Sequence, residues 1–443
     1  MRQTQWLRSV VLTALLGLVL AACGGTGGTT TTTAGGGGTT TTAPPAQTTT
    51  TGDGTTSAGS LTFGGLLPET GSLAFLGPPE IAGALLAVED INAGGGVLGS
   101  DVVWIAGDSG DTSTDIANTT VDSHLQAGVH AIIGAASSSV SFTVIDKITG
   151  AGVIQFSPAN TSQLFSTYDD KDLYFRTAPS DFLQGTILAD LVAADGLTAG
   201  VIYRQEPYGE GLAKRFKEVY ESLGGTVTNF IAYPPEGVAT FDAEVDQLAE
   251  ADPEAIVVIS FEEGALILET MHARGIGPAS GKAVWGVDGN IGGLHTEMAD
   301  PSILAGMQGT TPSVDLSTIT DFTARLDTMI DGGLGGIFDY GAETYDAMVI
   351  TALAAELAGS LDSIEIAAQI NDVTRGGDKC TSFTECIELI RGGATDIDYD
   401  GVSGPGEFVD AGEPAAASYR VVTLGEDGPD PALDFYIQAE LTE

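Results

Sequence analysis

Short apolar segments of strand length alternate with longer segments of helical period from residue 60 to about residue 290. The first strand-like segments are Leu61–Leu67, Val102–Ala106, Ala131–Ile133 and Val153–Phe156. Between the first two, Ile81, Leu85, Val88 and Ile91 recur at helical spacing, and the alternation restarts after Pro179. Repeated strand–helix–strand units predict parallel sheets covered by helices on both faces. We therefore predict an α/β chain with two Rossmann-like, parallel-sheet lobes.

The remaining segments divide the chain around these two lobes. The predicted boundaries are 1–22 for a leader, 23–59 for a tether, 60–178 plus 306–395 for lobe I, and 179–305 plus 396–443 for lobe II. The tail after Gly406 carries short strand-like segments, which we expect to return to lobe II. The lobes are long enough and apolar enough to bury two sizeable cores.

The first sixty residues predict export and a membrane anchor. Arg2 and Arg8 precede the apolar run Val10–Val19, which is typical of a secretory leader and too short to span a bilayer alone. Leu-Ala-Ala before Cys23 resembles the bacterial lipobox, in which the thiol is acylated and becomes the mature N-terminus. Residues 24–59 are almost wholly Thr, Gly, Ser, Ala and Pro and cannot bury a core. We expect an extracytoplasmic protein, lipid-anchored to the outer face of the bacterial cell membrane; an ordinary signal peptide with a chance cysteine is the alternative.

The charge of the chain excludes one class of partner. It contains 16 basic and 60 acidic residues, for a net charge of −44, and the acidic residues are spread along residues 60–443. Such a surface repels nucleic acid and anionic lipid. Nucleic-acid binding is therefore not expected, and contact with the membrane is expected through the N-terminal lipid.

The two cysteines of the body predict a disulfide. Cys380 and Cys386 are separated by five residues, and no further Cys or His lies near them to complete a metal site. Their spacing also differs from the Cys-x-x-Cys redox motif. An isolated pair in an oxidising compartment favours a local structural disulfide.

Motifs for catalysis and cofactor binding are absent from the sequence. The four histidines fit no zinc pattern, and there is neither a Gly-x-Ser-x-Gly elbow nor a Walker loop. The run Gly94–Gly99 matches Gly-x-Gly-x-x-Gly, but it follows a helical segment and precedes a strand, the reverse of the dinucleotide-binding context. We interpret it as a turn and expect no catalytic residue and no cofactor.

One acidic segment satisfies the calcium-loop pattern. It places Asp396, Asp398 and Asp400 before Gly401, with Glu407 at the last ligand position. Pro405 and Gly406 interrupt that loop, and strand-like rather than helical sequence follows it. We therefore favour an Asp-rich structural loop and keep calcium as the alternative.

The body resembles the type I periplasmic binding proteins, and within them the branched-chain amino acid (leucine/isoleucine/valine) receptors of ABC importers. The resemblance is carried, in order, by 62–71, 87–97, 108–109, 132–134, 157–161, 208–211 and 340–347. It implies two lobes joined by a multi-strand hinge, a small-molecule ligand between them, and an ABC permease as partner. It identifies the fold more specifically than the ligand.

The resemblance also implies a set of ligand-binding residues. In the Ser-rich loop after the third strand, Ser138 and Ser139 are expected to bind the ligand carboxylate. The loop after the fourth strand adds the backbone near Ala159 and the hydroxyl of Thr161. Both loops precede helical segments, whose N-termini favour an anion. Capping of those helices is the alternative role for the Ser and Thr residues.

Residues of lobe II are expected to close over the ligand. Tyr208 matches an aromatic that the family lays on the ligand, with packing at a helix start as the alternative. Glu262 and Glu263 both fit the carboxylate that pairs with the ligand ammonium, and we favour Glu262. Asp288 follows the next strand and is expected to share the cation.

The expected function is a lipid-anchored solute receptor that binds an amino acid or a similar small polar ligand for an ABC importer. The family places an aromatic in the first loop where this chain has Leu76, so receptors for amides, urea or aromatic acids remain alternatives. A sensor that reports its ligand to a separate signalling partner is another. An enzyme would need an acid and base in the cleft, for which Glu262, Glu263 and Asp288 are the candidates.

Overall fold

The computed structural model describes residues 59–404 and 406–441. The leader at 1–22, the acylation site Cys23 and all but the last residue of the 23–59 tether lie outside the described residues. Within them, no single helix is long and apolar enough to cross a bilayer.

Sixteen strands and twelve α-helices are assigned in the described part of the chain. The strands are β1 (Thr62–Leu66), β2 (Val103–Ile105), β3 (Ala131–Gly134), β4 (Ile154–Ser157), β5 (Tyr174–Arg176), β6 (Thr198–Arg204), β7 (Thr226–Tyr233), β8 (Ala255–Ile259), β9 (Ala283–Val287), β10 (Gln308–Pro312), β11 (Asp378–Cys380), β12 (Ile397–Tyr399), β13 (Phe408–Val409), β14 (Glu413–Pro414), β15 (Ala416–Thr423) and β16 (Phe435–Glu440). The helices are α1 (Gly77–Ala93), α2 (Ile116–Ala127), α3 (Ser138–Gly150), α4 (Asp181–Asp195), α5 (Pro207–Ser222), α6 (Asp242–Ala251), α7 (Gly264–Ala273), α8 (Leu294–Glu297), α9 (Thr320–Asp327), α10 (Gly341–Ala358), α11 (Ser363–Ile370) and α12 (Phe383–Gly392).

Two sheets form the centres of two lobes. The first is wholly parallel, in the order β2-β1-β3-β4-β5. The second has the order β16-β15-β10-β9-β8-β6-β7, with parallel pairing from β7 to β10 and antiparallel pairing of β15 and β16. Strands β3, β4 and β8 are buried at every position, as parallel strands covered on both faces require. The predicted α/β class and its two parallel-sheet lobes are confirmed.

The strand pairing differs from the expected boundaries between the lobes in two places. Strand β10 pairs with β9 in the second sheet, although 306–395 was assigned to lobe I. Strand β12 pairs with β11 beside the first sheet, although 396–443 was assigned to lobe II. We therefore propose that lobe I resumes after Pro312 and ends at Pro414. The chain then crosses between the lobes three times, at 177–180, 313–315 and 415.

Helix α10 is the buried centre of lobe I. Fifteen of its eighteen residues are buried, and it packs so closely on α1 that a Cβ on Gly83 would lie 2.2 Å from the Gly341 carbonyl oxygen. Two carboxyl groups are buried at this contact. Neither carboxylate oxygen of Glu80 has a hydrogen-bond partner among the described residues, and the charge of Glu343 lies nearby. Burial raises the pKa of Glu343 to about 8.

Glu343→Gln should make the stability of the protein less dependent on pH. A carboxyl that ionises near 4.5 when unfolded but near 8 when folded holds an extra proton in the native state between these values. Its contribution is full below about pH 4.5 and is lost as the pH rises, at up to about 1.4 kcal/mol per pH unit. Urea unfolding should find the variant more stable than the wild type at pH 8 and nearly equal to it at pH 5. Parallel pH profiles for the two proteins would contradict this.

The cysteine pair forms the predicted disulfide. It joins Cys380 at the end of β11 to Cys386 in α12, and both residues are buried. The glycine-rich run after α1 is a turn, as predicted, closed by hydrogen bonds from Gly96 N to Ile91 O and from Val97 N to Ser100 O, both 2.9 Å.

The structure does not support the calcium alternative for the acidic loop. Asp398 lies in β12, and the ammonium group of Lys379 is 3.0 Å from its carboxylate and 3.1 Å from that of Asp400. A lysine therefore occupies the position between the carboxylates. The short strand β13, not a helix, follows Glu407. No cluster of His, Cys, Asp and Glu side chains in the described ranges is arranged to hold a metal ion.

Candidate functional site

A cleft between the lobes lies at the carboxyl ends of strands from both sheets. Sheets of this kind bind ligands at such an edge, because the loops and helix N-termini there are free to line a crevice. The lining residues are Leu73, Leu76, Ala136, Ser137, Ser138, Ala159, Thr161, Tyr208, Phe261, Asp288, Gly289 and Tyr340. Five of the seven predicted ligand-binding residues are among them: Ser138, Ala159, Thr161, Tyr208 and Asp288.

The wall from lobe I consists of two loops that are fixed to each other. The Ser157 hydroxyl donates to the Ala135 carbonyl at 2.7 Å and accepts from the Asn160 N–H at 2.9 Å. The Asn160 side-chain amide donates to the Ala136 carbonyl at 2.8 Å. These bonds join the loop after β3 to the loop after β4, so their cleft-facing residues keep one geometry.

This wall suits an anionic group. Ser138 is the first residue of α3, and the first N–H groups of a helix are free of intrahelical partners and carry partial positive charge. The hydroxyl of buried Ser138 accepts from the Ser162 N–H at 3.3 Å and keeps its own proton for donation. Ser137, rather than Ser138, caps the helix by accepting from the Val140 N–H. The capping alternative thus applies to Ser137.

The opposite wall carries one buried carboxylate. Asp288 follows β9 and is 5% exposed. Its Oδ1 accepts from the Tyr208 hydroxyl and from the Gln184 amide, and its Oδ2 accepts from the Tyr340 hydroxyl, each at 2.8 Å. Burial raises the pKa of Asp288, and the three donors oppose that rise by stabilising the charged form. The arrangement supplies a fixed negative group for a ligand cation.

Two aromatic residues that sequence reasoning missed lie beside this carboxylate, Phe261 from lobe II and Tyr340 from lobe I. The ring of Phe261 stacks on Tyr208 with centroids 5.5 Å apart. Tyr340 has a left-handed backbone, with φ of 60°, immediately before α10. Such a conformation is uncommon outside glycine and is retained where surrounding contacts fix it, here the bond to Asp288. The only sequence signal for a role of Tyr340 in the cleft was an aromatic residue at the start of a helical segment.

The structure places the other two predicted residues outside the cleft lining. Glu262 lies three residues beyond the end of β8, on the turn before α7, and is exposed. Its competitor Glu263 binds the Arg204 guanidinium at 2.8 Å and the Tyr233 hydroxyl at 2.7 Å, so it has a structural role. Ser139 donates to the Glu206 carboxylate. The favoured Glu262 is therefore replaced by Asp288 as the carboxylate inside the cleft.

The two lobes are closed on each other. Ser139 in lobe I binds Glu206 in lobe II, and the Ser162 hydroxyl donates to the Pro207 carbonyl at 3.1 Å. A Cβ on Gly293 of lobe II would lie 2.8 Å from the ring of Phe75 in lobe I. Because these contacts join opposite walls, a ligand can enter only when the lobes separate.

Comparison with known proteins identifies the family. The family model described as periplasmic binding protein matches residues 60–429, and the chain belongs to this family. Over 383 residues it is 26% identical to the chemotactic signal transduction system substrate-binding protein BasB of Halobacterium salinarum, covering 83% of this chain and 88% of BasB. The Leu/Ile/Val-binding protein homolog 3 of Brucella melitensis is 30% identical over 222 residues, or 49% of this chain; the match spans 59% of that relative.

Solved structures show the same fold. The branched-chain amino acid transporter substrate binding protein LivJ of Streptococcus pneumoniae, in complex with isoleucine, has a TM-score of 0.69 at 21% identity, covering 86% of this chain and all of that chain. A solute binding protein of R. palustris in complex with benzoate has a TM-score of 0.66 at 17% identity, covering 84% and 95%. The predicted resemblance is confirmed, and the chain is a binding protein rather than an enzyme.

Proposed function

We propose that this protein is the lipid-anchored receptor of an ABC importer and binds an amino acid between its two lobes. The carboxylate of the ligand binds Ser138, Thr161 and the first N–H groups of α3, and its ammonium binds Asp288. The single observation that carries this proposal is the buried Asp288 carboxylate on the wall opposite a helix N-terminus. Charges of opposite sign on the two ends of the ligand then join the two lobes.

The aliphatic part of the ligand is expected to contact the apolar lining. Leu73 and Leu76 from lobe I and Phe261 from lobe II line the cleft without polar atoms in their side chains. Relatives named as Leu/Ile/Val-binding proteins support an aliphatic amino acid. The benzoate-bound relative favours an aromatic acid instead, but such a ligand would leave Asp288 buried without a cation, which is costly.

A panel of ligands tests this proposal. Leucine, isoleucine, valine, alanine, an aliphatic amide, urea and benzoate would each be added to the purified protein during thermal unfolding. A ligand at about 100 times its dissociation constant stabilises the protein by roughly 2.7 kcal/mol. We expect aliphatic amino acids to raise the melting temperature and benzoate to leave it unchanged. A response to benzoate without any to amino acids would reject the assignment of Asp288.

Sensing is the second candidate function. The match to BasB covers 88% of that protein, whose name places it in a chemotactic signal transduction system. A receptor of this kind closes on its ligand in the same way and presents the closed form to a signalling partner. Co-purification of the ligand-loaded protein with a permease would support transport, and co-purification with a membrane-bound signal transducer would support sensing.

The lipid anchor is proposed from Cys23 and the Thr- and Gly-rich segment that follows it. Acylation would hold the receptor at the membrane while the tether lets the lobes reach a partner. Mass spectrometry of the N-terminal peptide tests this, because a diacylglyceryl adduct on Cys23 is expected. Release of Cys23→Ser into the medium is the matching functional readout.

A further inference from the structure

A second cavity lies at the hinge and shares no lining residue with the ligand cleft. Its volume is about 540 Å³, within the range of small-molecule sites. Each of the three crossings between the lobes contributes to its wall, through Pro179, Ser313 and Ala415. Lobe I adds Glu343 from α10, and lobe II adds Gln438 from β16. A molecule in this cavity would touch both lobes and the segments about which they rotate.

The wall of this hinge cavity is acidic and has few cations. Glu343 is 6% exposed, and no other described residue donates a hydrogen bond to its carboxylate. Glu407 and Glu440 line the same cavity, are exposed, and form no ion pair with any described residue. Lys379 is the one basic side chain among the described lining residues, and its ammonium group is already paired with Asp398 and Asp400.

The buried Glu343 is the feature that points to a ligand. Burial without a nearby cation keeps this carboxyl from ionising, as its pKa of about 8 indicates. An ammonium group placed in the cavity would lower the pKa of Glu343 again, because an ion pair favours the charged carboxylate. The nearby Glu80, Asp339 and Asp346 carboxyls add to the preference for a cation at this position.

The spacing of the carboxylates decides between a metal ion and an organic cation. No three acidic side chains among the described residues are close enough to hold a metal. Glu343 lies on α10, Glu407 precedes β13, and Glu440 ends β16, so their charges belong to three separate walls. A linear molecule with several ammonium groups can pair with all three carboxylates, whereas a single ion can reach only one of them.

We propose that the hinge cavity binds a linear polyamine, with one ammonium group at Glu343 and others at Glu407 and Glu440, and that this binding favours the closed lobes. The cavity has these walls in the closed state. A molecule that fits it therefore binds the closed state more tightly than the open one, and by linkage it strengthens binding in the cleft. This second part rests on the proposed function, since it requires a cleft ligand.

Direct titration tests the site without a cleft ligand. Spermidine would be titrated into the purified protein by calorimetry at constant ionic strength. We expect one saturable site for spermidine. Its affinity should fall at least tenfold in Glu343→Gln, which removes the charge, and in Gln438→Trp, whose larger side chain fills the cavity from an exposed strand position. Glu365→Gln removes an exposed carboxylate on α11 and should leave the affinity unchanged. Equal binding to all four proteins, or many weak sites, would overturn the proposal.

The coupling to the cleft is measured separately. Saturating spermidine should lower the dissociation constant of the cleft ligand about fivefold in the wild type and leave it unchanged in Gln438→Trp. An equal effect from magnesium chloride at the same ionic strength would overturn the proposal, because it would be a general counter-ion effect. If no cleft ligand were found, the direct titration would still decide the site, so the two proposals fail independently.

Discussion

Asp288→Asn should reduce the affinity for an amino acid at least about thirtyfold. The substitution keeps the size and the acceptor oxygen of the side chain but removes the negative charge that pairs with the ligand ammonium. Removing one partner of a buried, hydrogen-bonded charge pair costs about 2–5 kcal/mol of binding free energy. The Tyr208 and Gln184 donors retain the Oδ1 acceptor, and the Tyr340 hydroxyl can rotate to accept from the new amide. Calorimetric titration of the responding amino acid measures the loss.

The matched control for this change is Glu262→Gln. Glu262 is also acidic and follows the neighbouring strand, but it is exposed and outside the cleft lining. We expect the affinity of Glu262→Gln for the amino acid to stay within about threefold of the wild-type value, since exposed charges contribute little. A large loss of affinity in Glu262→Gln, with none in Asp288→Asn, would show that Glu262 and not Asp288 binds the ligand ammonium. The circular dichroism spectrum of Asp288→Asn should match that of the wild type, which separates lost charge from general damage.

The contrast between these two carboxylates shows what the sequence could and could not determine. An acidic residue soon after a strand was the available signal for the ammonium site, and both β8 and β9 are followed by one. Which carboxylate lines the cleft depends on how far it lies beyond its strand. Asp288 follows β9 directly, whereas Glu262 is three residues past β8 on an exposed turn. The sequence predicted these strands to end at Ser260 and Gly286, so each carboxylate was expected two residues beyond its strand and the difference was not visible.

The lobes were predictable because their signals are local. Buried parallel strands appear as continuous apolar runs, and the helices between them have a helical period, so β1, β3, β4 and α1 were recognised. Strands β5 and β10 were missed because three to five residues of mixed polarity carry little pattern. The lobe boundaries depend on which sheet each strand joins. Pairing between strands that are distant in the sequence cannot be predicted from the residues of either strand alone.

Tyr340 and Ser139 illustrate the same limit within the site. The role of Tyr340 follows from a left-handed backbone that brings this lobe I residue against Asp288 of lobe II, 52 positions earlier. Ser139 was expected on the ligand because the resemblance implied that role for the Ser-rich loop that contains it. Residues adjacent at a helix start face different directions, and Ser139 instead meets Glu206 of the other lobe. Contacts across the cleft depend on closure, which no local pattern reports.

Glu413→Gln should lower the free energy of unfolding by about 3 kcal/mol, because it leaves the Arg176 charge buried without a partner. Arg176 is fully buried and donates to the Glu413 carboxylate, with its Nε 2.8 Å from Oε2. The same guanidinium donates to the carbonyls of Asn160 at 3.1 Å and Ser162 at 2.9 Å. Equilibrium unfolding in urea at pH 7 measures the change.

The exposed pair of Lys214 and Glu210 on α5 provides the matched control. Its charges are 2.9 Å apart, close to a normal ion-pair distance, but both side chains are largely in water. Glu210→Gln should therefore cost less than about 0.5 kcal/mol. Glu413→Gln should also weaken ligand binding, because the carbonyls that Arg176 holds flank Thr161 in the cleft wall. An equal loss of stability in both variants would show that the buried pair contributes no more than the exposed one. A loss of both stability and ligand affinity in Glu413→Gln alone would show that the Arg176–Glu413 pair supports the cleft wall.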